Sequence, residues 1–531
     1  MASLKNTIAR FLEECRSMRE LKQLHSQIIT SPHFSEKDRY FLFSRLLFFC
    51  TVSHSGCLDY ATDVFRMIEN PNLFVYNAMI RAHASKNSNG EAPSSCGALI
   101  LYKQLLGRSI VPDCLTFPFL LKECTRRLDC GTGRSVHGHA VKYGLGDDVF
   151  IQNSFISLYC ACGSMDSARR VFDEMSSRDV VSWNSIIIGC LRSGDLDSAL
   201  NLFRSAKKRN VITWNSIISG FARGGRPKEA VEFFHEMQMA GDEPDKFTVA
   251  SVLSACASLG AIAQGKWVHL FLKRSGLECD MAIQTALVDM YGKCGLVERA
   301  VEIFKEMPKK DISAWTAMIS VFALQGYVKE AFDLFTEMEA LGVRPNPVTF
   351  VGLLSACAHS GSVEKGLWCF DLMKRVYSIE PQLQHYACMV DILSRAGFFE
   401  EAERLISNMP VEPDVFVWGA VLGGCQMHGN TELGEKVAEY LINLEPSNHA
   451  FYVTLCDIYA KAGRFDDAKR FRALMNEKGI KKVFPGCSMI EIDGIVHEFS
   501  VRGSPEILLE KLTCMLNYLS DAMKSERTML E

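Results

Sequence analysis

Val211-Ile-Thr-Trp-Asn-Ser-Ile-Ile-Ser-Gly220 decides the fold, because the chain writes it more than once. Val180-Val-Ser-Trp-Asn-Ser-Ile-Ile-Ile-Gly189 precedes it, and Ile312-Ser-Ala-Trp-Thr-Ala-Met-Ile-Ser320 follows. After each comes a Gly, then Glu-Ala or Ser-Ala, then an apolar-Phe pair. Lys228-Glu-Ala-Val-Glu-Phe-Phe-His-Glu-Met237 returns as Lys329-Glu-Ala-Phe-Asp-Leu-Phe-Thr-Glu-Met338. Self-similarity at such a period marks an architecture of stacked repeats.

Working outward, unit starts fall at Leu73, Cys114, Val149, Val180, Val211, Lys246, Met281, Ile312, Pro347 and Leu383. The intervals are 31 to 36 residues, except the first, which is 41. That excess is Asn87 to Gly97, rich in Ser, Asn and Gly, and reads as a lengthened surface loop. A degenerate unit begins near Tyr40. Another is suggested upstream, where Leu24-His25 echoes Val136-His137 and Val268-His269.

Each unit reads as two amphipathic helices. Trp214, Ile217, Ile218 and Phe221 fall on one helical face. Gly224 and Gly225 supply the turn, and Ala230, Val231, Phe233, Phe234 and Met237 form the second stripe. Small Ala230 lets two helices approach closely. Gly241 and Pro244 stop the second helix. One hairpin cannot bury both its faces, so neighbours must stack. Strand-type alternation is nearly absent until Met489 to Val501, which reads as a hairpin about Asp493-Gly494. Glu506 to Leu519 reads as one more amphipathic helix.

Composition narrows the function. Lys and Arg number 58 against 62 acids, a net charge of −4. A generic nucleic-acid coat would be strongly basic, so any such site must concentrate positive potential on one face. The 20 cysteines are scattered, with no C-x-x-C pair, and read as small buried hydrophobes. His137 and His139, like Cys160 and Cys162, stand two apart and cannot share a helix face, so no metal or other cofactor is expected. No apolar run reaches the length of a membrane span. Met1 to Leu12 carries Lys5 and Arg10 and no acid, compatible with an organellar targeting peptide but short for one. Lys207-Lys208-Arg209 and Lys309-Lys310 close repeats, either as solvated turns or as phosphate contacts.

The units resemble pentatricopeptide repeats of the plant type that alternates long, short and standard forms. The 35-residue unit 211–245 ends Gly241-Asp-Glu-Pro-Asp245, and 312–346 ends Gly342-Val-Arg-Pro-Asn346. The 31-residue units 149–179 and 281–311 carry Leu158-Tyr-Cys-Ala-Cys-Gly163 and Met290-Tyr-Gly-Lys-Cys-Gly295, like the short form. Units 114–148 and 246–280 carry the Val-His pair of the long form. The implied fold is all-α: a right-handed α-solenoid of helix-turn-helix repeats, with a short β-hairpin near the C-terminus. The division is residues 1–39, an N-terminal segment with a degenerate long-type repeat; 40–414, an array of about 11 repeats; 415–482, two extension repeats; and 483–531, a further tail.

The tail carries a second resemblance. Trp418-Gly-Ala-Val-Leu-Gly-Gly-Cys425, His428-Gly-Asn-Thr-Glu-Leu-Gly-Glu435 and Leu455-Cys-Asp-Ile-Tyr-Ala-Lys-Ala-Gly-Arg464 are similar to the extension that follows such arrays in organellar RNA-editing factors. Pro485-Gly-Cys-Ser-Met-Ile-Glu-Ile-Asp-Gly-Ile-Val-His-Glu-Phe499 looks like the start of that family's deaminase-like domain. A zinc deaminase needs H-x-E and P-C-x-x-C. Neither occurs, and His497-Glu498 are adjacent rather than spaced. The chain stops at Glu531, too early to hold that domain. It is therefore expected not to be an enzyme.

The resemblance places two base readers in each unit: the residue after the first-helix aromatic, and the residue that closes the repeat. Repeats of this class read one base each. An ionised Asp only accepts hydrogen bonds, whereas Asn can donate. Uracil and guanine present a ring N–H and suit a closing Asp; adenine and cytosine present a bare nitrogen and suit a closing Asn. A short Ser or Thr on the first helix leaves room for a purine; a longer Asn reaches a pyrimidine. Ser44 with Asn72 then implies adenine. Asn77 with Asp113, Asn153 with Asp179, and Asn215 with Asp245 imply uracil. Asn184 with Asn210 implies a pyrimidine, cytosine favoured. Thr285 with Asp311 implies guanine, and Thr316 with Asn346 adenine. Units carrying Pro118, Ala250, Val351 and Ala387 lack a polar first reader. The string is A-U-n-U-Y-U-n-G-A-n-n, with the edited cytidine four nucleotides past the last repeat. Asp or Asn at a repeat boundary is also a common helix N-cap, and the two roles can coexist.

The expected function is recognition of a single-stranded organellar RNA site for cytidine-to-uridine editing. A deaminase-bearing partner, and possible accessory editing proteins, would be recruited through residues 415–531. The expected location is the mitochondrion, with the chloroplast as alternative. The competing readings are an RNA stability, splicing or translation factor, and a protein-binding helical scaffold.

Overall fold

The computed structural model describes residues 2–53, 55–85, 97–480, 487–492 and 495–500. Of the last two segments it describes the backbone alone. Among these residues there are 28 helices, grouped in two compact units, Met1–Pro244 and Asp245–Glu531.

The repeat 211–245 shows why helices form where they do. Asn210 accepts the Thr213 N–H at 3.0 Å and gives its own N–H to the Thr213 hydroxyl at 3.2 Å, a reciprocal capping box. Helix Val211–Arg223 follows. Gly225, at φ +78°, takes the left-handed turn that an L side chain resists, and Pro227 opens Pro227–Met239 with its missing N–H at no loss. The stripe Trp214, Ile217, Ile218, Phe221 is buried, as are Ala230, Val231, Phe233, Phe234 and Met237.

Neighbouring hairpins seal one another by a recurring aromatic contact. A Phe from one second helix meets the Trp of the next first helix edge to face. The pairs are Phe172–Trp183 and Phe203–Trp214 at 5.0 Å, and Phe304–Trp315 at 5.1 Å. Burying such a side chain contributes about 1.5–3 kcal/mol. First helices also touch directly, at glycines. A Cβ on Gly189 would lie 2.1 Å from Cys160 Sγ, and one on Gly424 only 2.7 Å from the Ser394 carbonyl oxygen.

Some boundaries differ from the sequence reading. The helix expected from Tyr40 starts at Glu36, because Ser35 and Asp38 form a capping box upstream. The one expected from Cys114 starts at Thr116, since Asp113 holds Cys114 and Leu115 in a tight turn first. Gly97, placed in the loop, opens the helix Gly97–Gly107. Residues 86–96, Lys481-Lys482, Asp493-Gly494 and the helix expected at Glu506 to Leu519 lie outside the described residues. At the N-terminus Ala2–Glu14 and Met18–Thr30 are helices, with Ile8, Leu12, Leu21 and Ile28 buried in the first unit's core. Strands Cys487–Ile492 and Ile495–Ser500 pair antiparallel, Cys487 opposite Ser500.

Candidate nucleic-acid interface

Each closing residue sits one position before a first helix, or three before it at Asp113, where four N–H groups lack intrahelical partners. All seven solve this alike: Oδ1 accepts the N–H three residues on. The donors to Asn72, Asp113, Asp179, Asn210, Asp245, Asp311 and Asn346 are Val75, Thr116, Ser182, Thr213, Thr248, Ala314 and Thr349, at 2.8–3.1 Å. A backbone N–H only donates, so the atom facing it must be oxygen. In Asn72, Asn210 and Asn346 this turns the amide nitrogen away from the helix. In the aspartates it turns away a second oxygen. Burial pushes the Asp179 carboxyl up, but hydrogen bonds from the Ser182 N–H and hydroxyl and from Asn153 outweigh it, and the net direction is down. The group is ionised at neutral pH.

The first readers stand one helical turn further in. The Asn77 amide donates to Asp113 Oδ1 at 2.9 Å, Asn153 to Asp179 at 3.1 Å, and Asn184 to Asn210 at 3.2 Å. Thr316 reaches its closing residue through one intermediary: its hydroxyl meets that of Thr349 at 2.9 Å, which meets Asn346 Oδ1 at 3.0 Å. Two pairs are not joined by a hydrogen bond among the described residues. Ser44 donates to the Tyr40 carbonyl at 2.8 Å, apart from Asn72, and Thr285 donates to the Met281 carbonyl at 2.8 Å, apart from Asp311. Asn215 is half-buried near the end of the first unit, and Asp245 is half-buried at the start of the second.

Five of the first readers are buried. Ser44, Asn77, Asn153, Asn184 and Thr316 are only 5–9% exposed, so each offers an edge rather than a whole side chain. The closing residues are half-buried or exposed.

Two further sets of residues were missed. Two places past the closing residue stand large apolar side chains that are at least half exposed: Phe74, Leu115, Val181, Ile212, Phe247 and Val348. Their signal was an apolar residue at the second place of the unit, on the face opposite the buried stripe. The other set is the hydroxyl three places past the closing residue: Thr116, Ser182, Thr213, Thr248 and Thr349. Its signal was the capping-box spacing.

These pieces surround open cavities. One of about 460 Å³ in the first unit is lined by Lys122, Arg126, Phe150, Asn153 and Val181. One of about 750 Å³ in the second unit lies over Val351 and Ala387, where the polar first reader is missing, beside Lys293, Arg395 and Phe416. Arg192, Arg223, Lys293 and Arg395 lie in the last turns of first helices, Lys293 and Arg395 paired there with Asp289 and Asp391 at 2.8 Å. Arg209 and Lys310, weighed as phosphate contacts, instead donate to the carbonyls of Phe203 and Met307 at the ends of preceding helices. His137 and His139 face different partners, Tyr159 and Tyr102. Among the described residues no group of three or more His, Cys, Asp or Glu is placed to hold a metal, and no helix is long and apolar enough to cross a membrane.

Fold and site together define repeated helical hairpins whose first helices carry polar side chains, hydrogen-bonded directly in the pairs Asn77–Asp113, Asn153–Asp179 and Asn184–Asn210. Family profiles agree with that class. The PPR repeat family matches residues 209–258 and 310–359; the PPR repeat matches 153–180, 181–211, 285–312, 348–376 and 385–412; and the E motif matches 428–491. The Arabidopsis thaliana pentatricopeptide repeat-containing protein At2g20540 is 41% identical over 93% of this chain and 91% of its own length. At1g59720, named chloroplastic/mitochondrial, is 39% identical over 97% and 76%. At2g22410, named mitochondrial, is 35% identical over 99% and 91%. The chain belongs to the pentatricopeptide repeat family, and its repeats with the E motif fit the class that alternates long, short and standard forms. Among solved structures, maize PPR10 aligns with 90% of this chain and 84% of its own at 17% identity and a TM-score of 0.47. PPR10 in complex with an 18-nt psaJ RNA element aligns at a TM-score of 0.41.

Proposed function

We propose that this protein reads a single-stranded organellar RNA, A-U-n-U-Y-U-n-G-A-n-n, and marks a cytidine beyond it for editing by a deaminase recruited in trans. The observation that carries the reading is the uniform turn of the closing residues. Helix capping takes Oδ1 in all seven. What faces away is then an acceptor oxygen in Asp and a donor nitrogen in Asn. An acceptor suits the ring N–H of uracil or guanine; a donor suits the bare ring nitrogen of adenine or cytosine. Capping and reading are thus one arrangement. The half-exposed apolar residues at the second place offer surfaces on which bases stack.

The protein does no chemistry on the base itself. The E motif match over 428–491 supports an editing role for residues 415–531, since the family's editing factors carry such extensions. Relatives named mitochondrial and chloroplastic support an organellar location, for which the mitochondrion is our choice.

Transcript sequencing in plants lacking the protein tests the whole reading. One or a few unconverted organellar cytidines, each preceded by the string, are expected. Normal editing with altered transcript level or splicing would replace the editing role by one in stability or processing.

A further inference from the structure

Resting on that reading, we infer that the hydroxyl three places past the closing residue sets which edge of the first reader meets the base, and so determines specificity without touching RNA. Thr213 shows the geometry. Its Oγ1 lies 2.7 Å from Asn184 Oδ1 and 2.9 Å from Asn210 Oδ1, and accepts the Asn210 N–H at 3.2 Å. A hydroxyl has one proton. Asn210 Oδ1 already receives the Thr213 N–H at 3.0 Å and the Asn184 amide at 3.2 Å. The proton therefore goes to Asn184 Oδ1, the nearer acceptor. Thr116 repeats this with Asn77 Oδ1 at 2.8 Å, while Asn77 donates to Asp113.

The consequence follows from counting. Asn184 Oδ1 is held by the hydroxyl, and one of its N–H groups by Asn210. The group left for the groove is the second N–H, a donor. Beside the ring nitrogen both pyrimidines carry the acceptor O2. At the same place adenine has C–H and guanine a donor amino group. A locked Asn therefore accepts either pyrimidine and rejects purines. An unlocked Asn can flip its amide and present oxygen instead. This is a sharper reason for the pyrimidine preference than side-chain length.

The chain's own pattern agrees. Its four Asn first readers, Asn77, Asn153, Asn184 and Asn215, are matched by a hydroxyl at the next third position: Thr116, Ser182, Thr213 and Thr248. Of the first readers with no amide to lock, Ser44 and Thr285 are matched by Val75 and Ala314, while Thr316 is matched by Thr349, whose hydroxyl it meets at 2.9 Å. At Ser182 the lock is open. Its hydroxyl turns to Asp179 at 2.8 Å, and Asn153 Oδ1 is left buried without a partner.

The test is binding of the full chain to eleven-nucleotide RNAs that differ only at the fifth position, cytosine against adenine. Thr213→Val removes the proton at nearly constant volume. The cytosine preference should fall about five- to tenfold, the worth of one hydrogen bond. Preference at the eighth position, read by Thr285 and Asp311, should not move. Thr213→Ser keeps the proton but frees it to turn to the closing residue, as at Ser182, and should restore the fifth-position preference in part. Thr116→Val, read at the second position, repeats the test should Thr213→Val fold poorly. If the native chain discriminates and both Val variants discriminate equally well, the lock is wrong while base reading stands. If the native chain shows no preference at these positions, base reading itself fails, and the lock with it.

Discussion

Asp179→Asn should convert the fourth nucleotide from uracil to cytosine and leave the fold alone. The cap survives, because Asn can accept the Ser182 N–H as Asn210 and Asn346 accept theirs, at 3.0 and 2.9 Å. The bond from Asn153, at 3.1 Å, survives too, since Asn184 makes the same bond to Asn210 at 3.2 Å. Only the outward atom changes, from a carboxylate oxygen to an amide nitrogen. A hydrogen bond to a charged group is worth about 1.5–3 kcal/mol. At about 1.4 kcal/mol per tenfold, uracil affinity should fall roughly ten- to hundredfold. Cytosine affinity should rise, as its bare ring nitrogen gains a donor. Fluorescence anisotropy at one fixed salt concentration reads both RNAs, because phosphate contacts make affinity salt-dependent. An unchanged uracil preference in a variant with an unchanged melting temperature would refute the closing residue as a reader.

Ile212→Ala should weaken RNA binding by about 1–3 kcal/mol, the scale of one lost stacking surface, with little effect on thermal stability because the side chain is mostly exposed. Gly424→Ala should destabilise the second unit by about 1–3 kcal/mol in denaturant titration, since its Cβ would meet the Ser394 backbone and no side chain can swing aside. Burial holds His25, His137 and His269 below their ordinary pKa of 6.5. Each protonates more readily unfolded than folded, so stability should be full above about pH 6.5 and decline as the medium is acidified below it. A melting temperature that is flat from pH 7.5 to 5 would contradict that burial.

Much of the fold was legible because the repeat states its own periodicity. Trp214, Ile217, Ile218 and Phe221 fall at helical spacing, and each is buried. Local capping hid some starts. Nothing in the apolar pattern near Tyr40 reveals that Ser35 and Asp38 nucleate the helix upstream. Of the interface, the family resemblance named the two places, and the repeat period carried them to the pairs Asn77–Asp113, Asn153–Asp179 and Asn184–Asn210. Depth could not be named in this way. Asn153 is a polar residue in an apolar helix whether its edge is open or nearly covered, and only the packing of the next repeat decides. The third-position hydroxyls escaped because a single Thr near a helix start has an ordinary explanation, and its second bond crosses to another repeat.

First helices in the repeats from Val149 onward keep 13 or 14 residues, while second helices vary: Met165–Glu174 and Val297–Glu306 have 10, and Pro227–Met239 and Val328–Ala340 have 13. Differences in unit length are therefore absorbed in the second helices and the turns around them. Within each unit the first helices behave as a ruler with nearly even graduations. Excising one 31-residue module or one 35-residue module should accordingly shorten the recognised message by the same single letter.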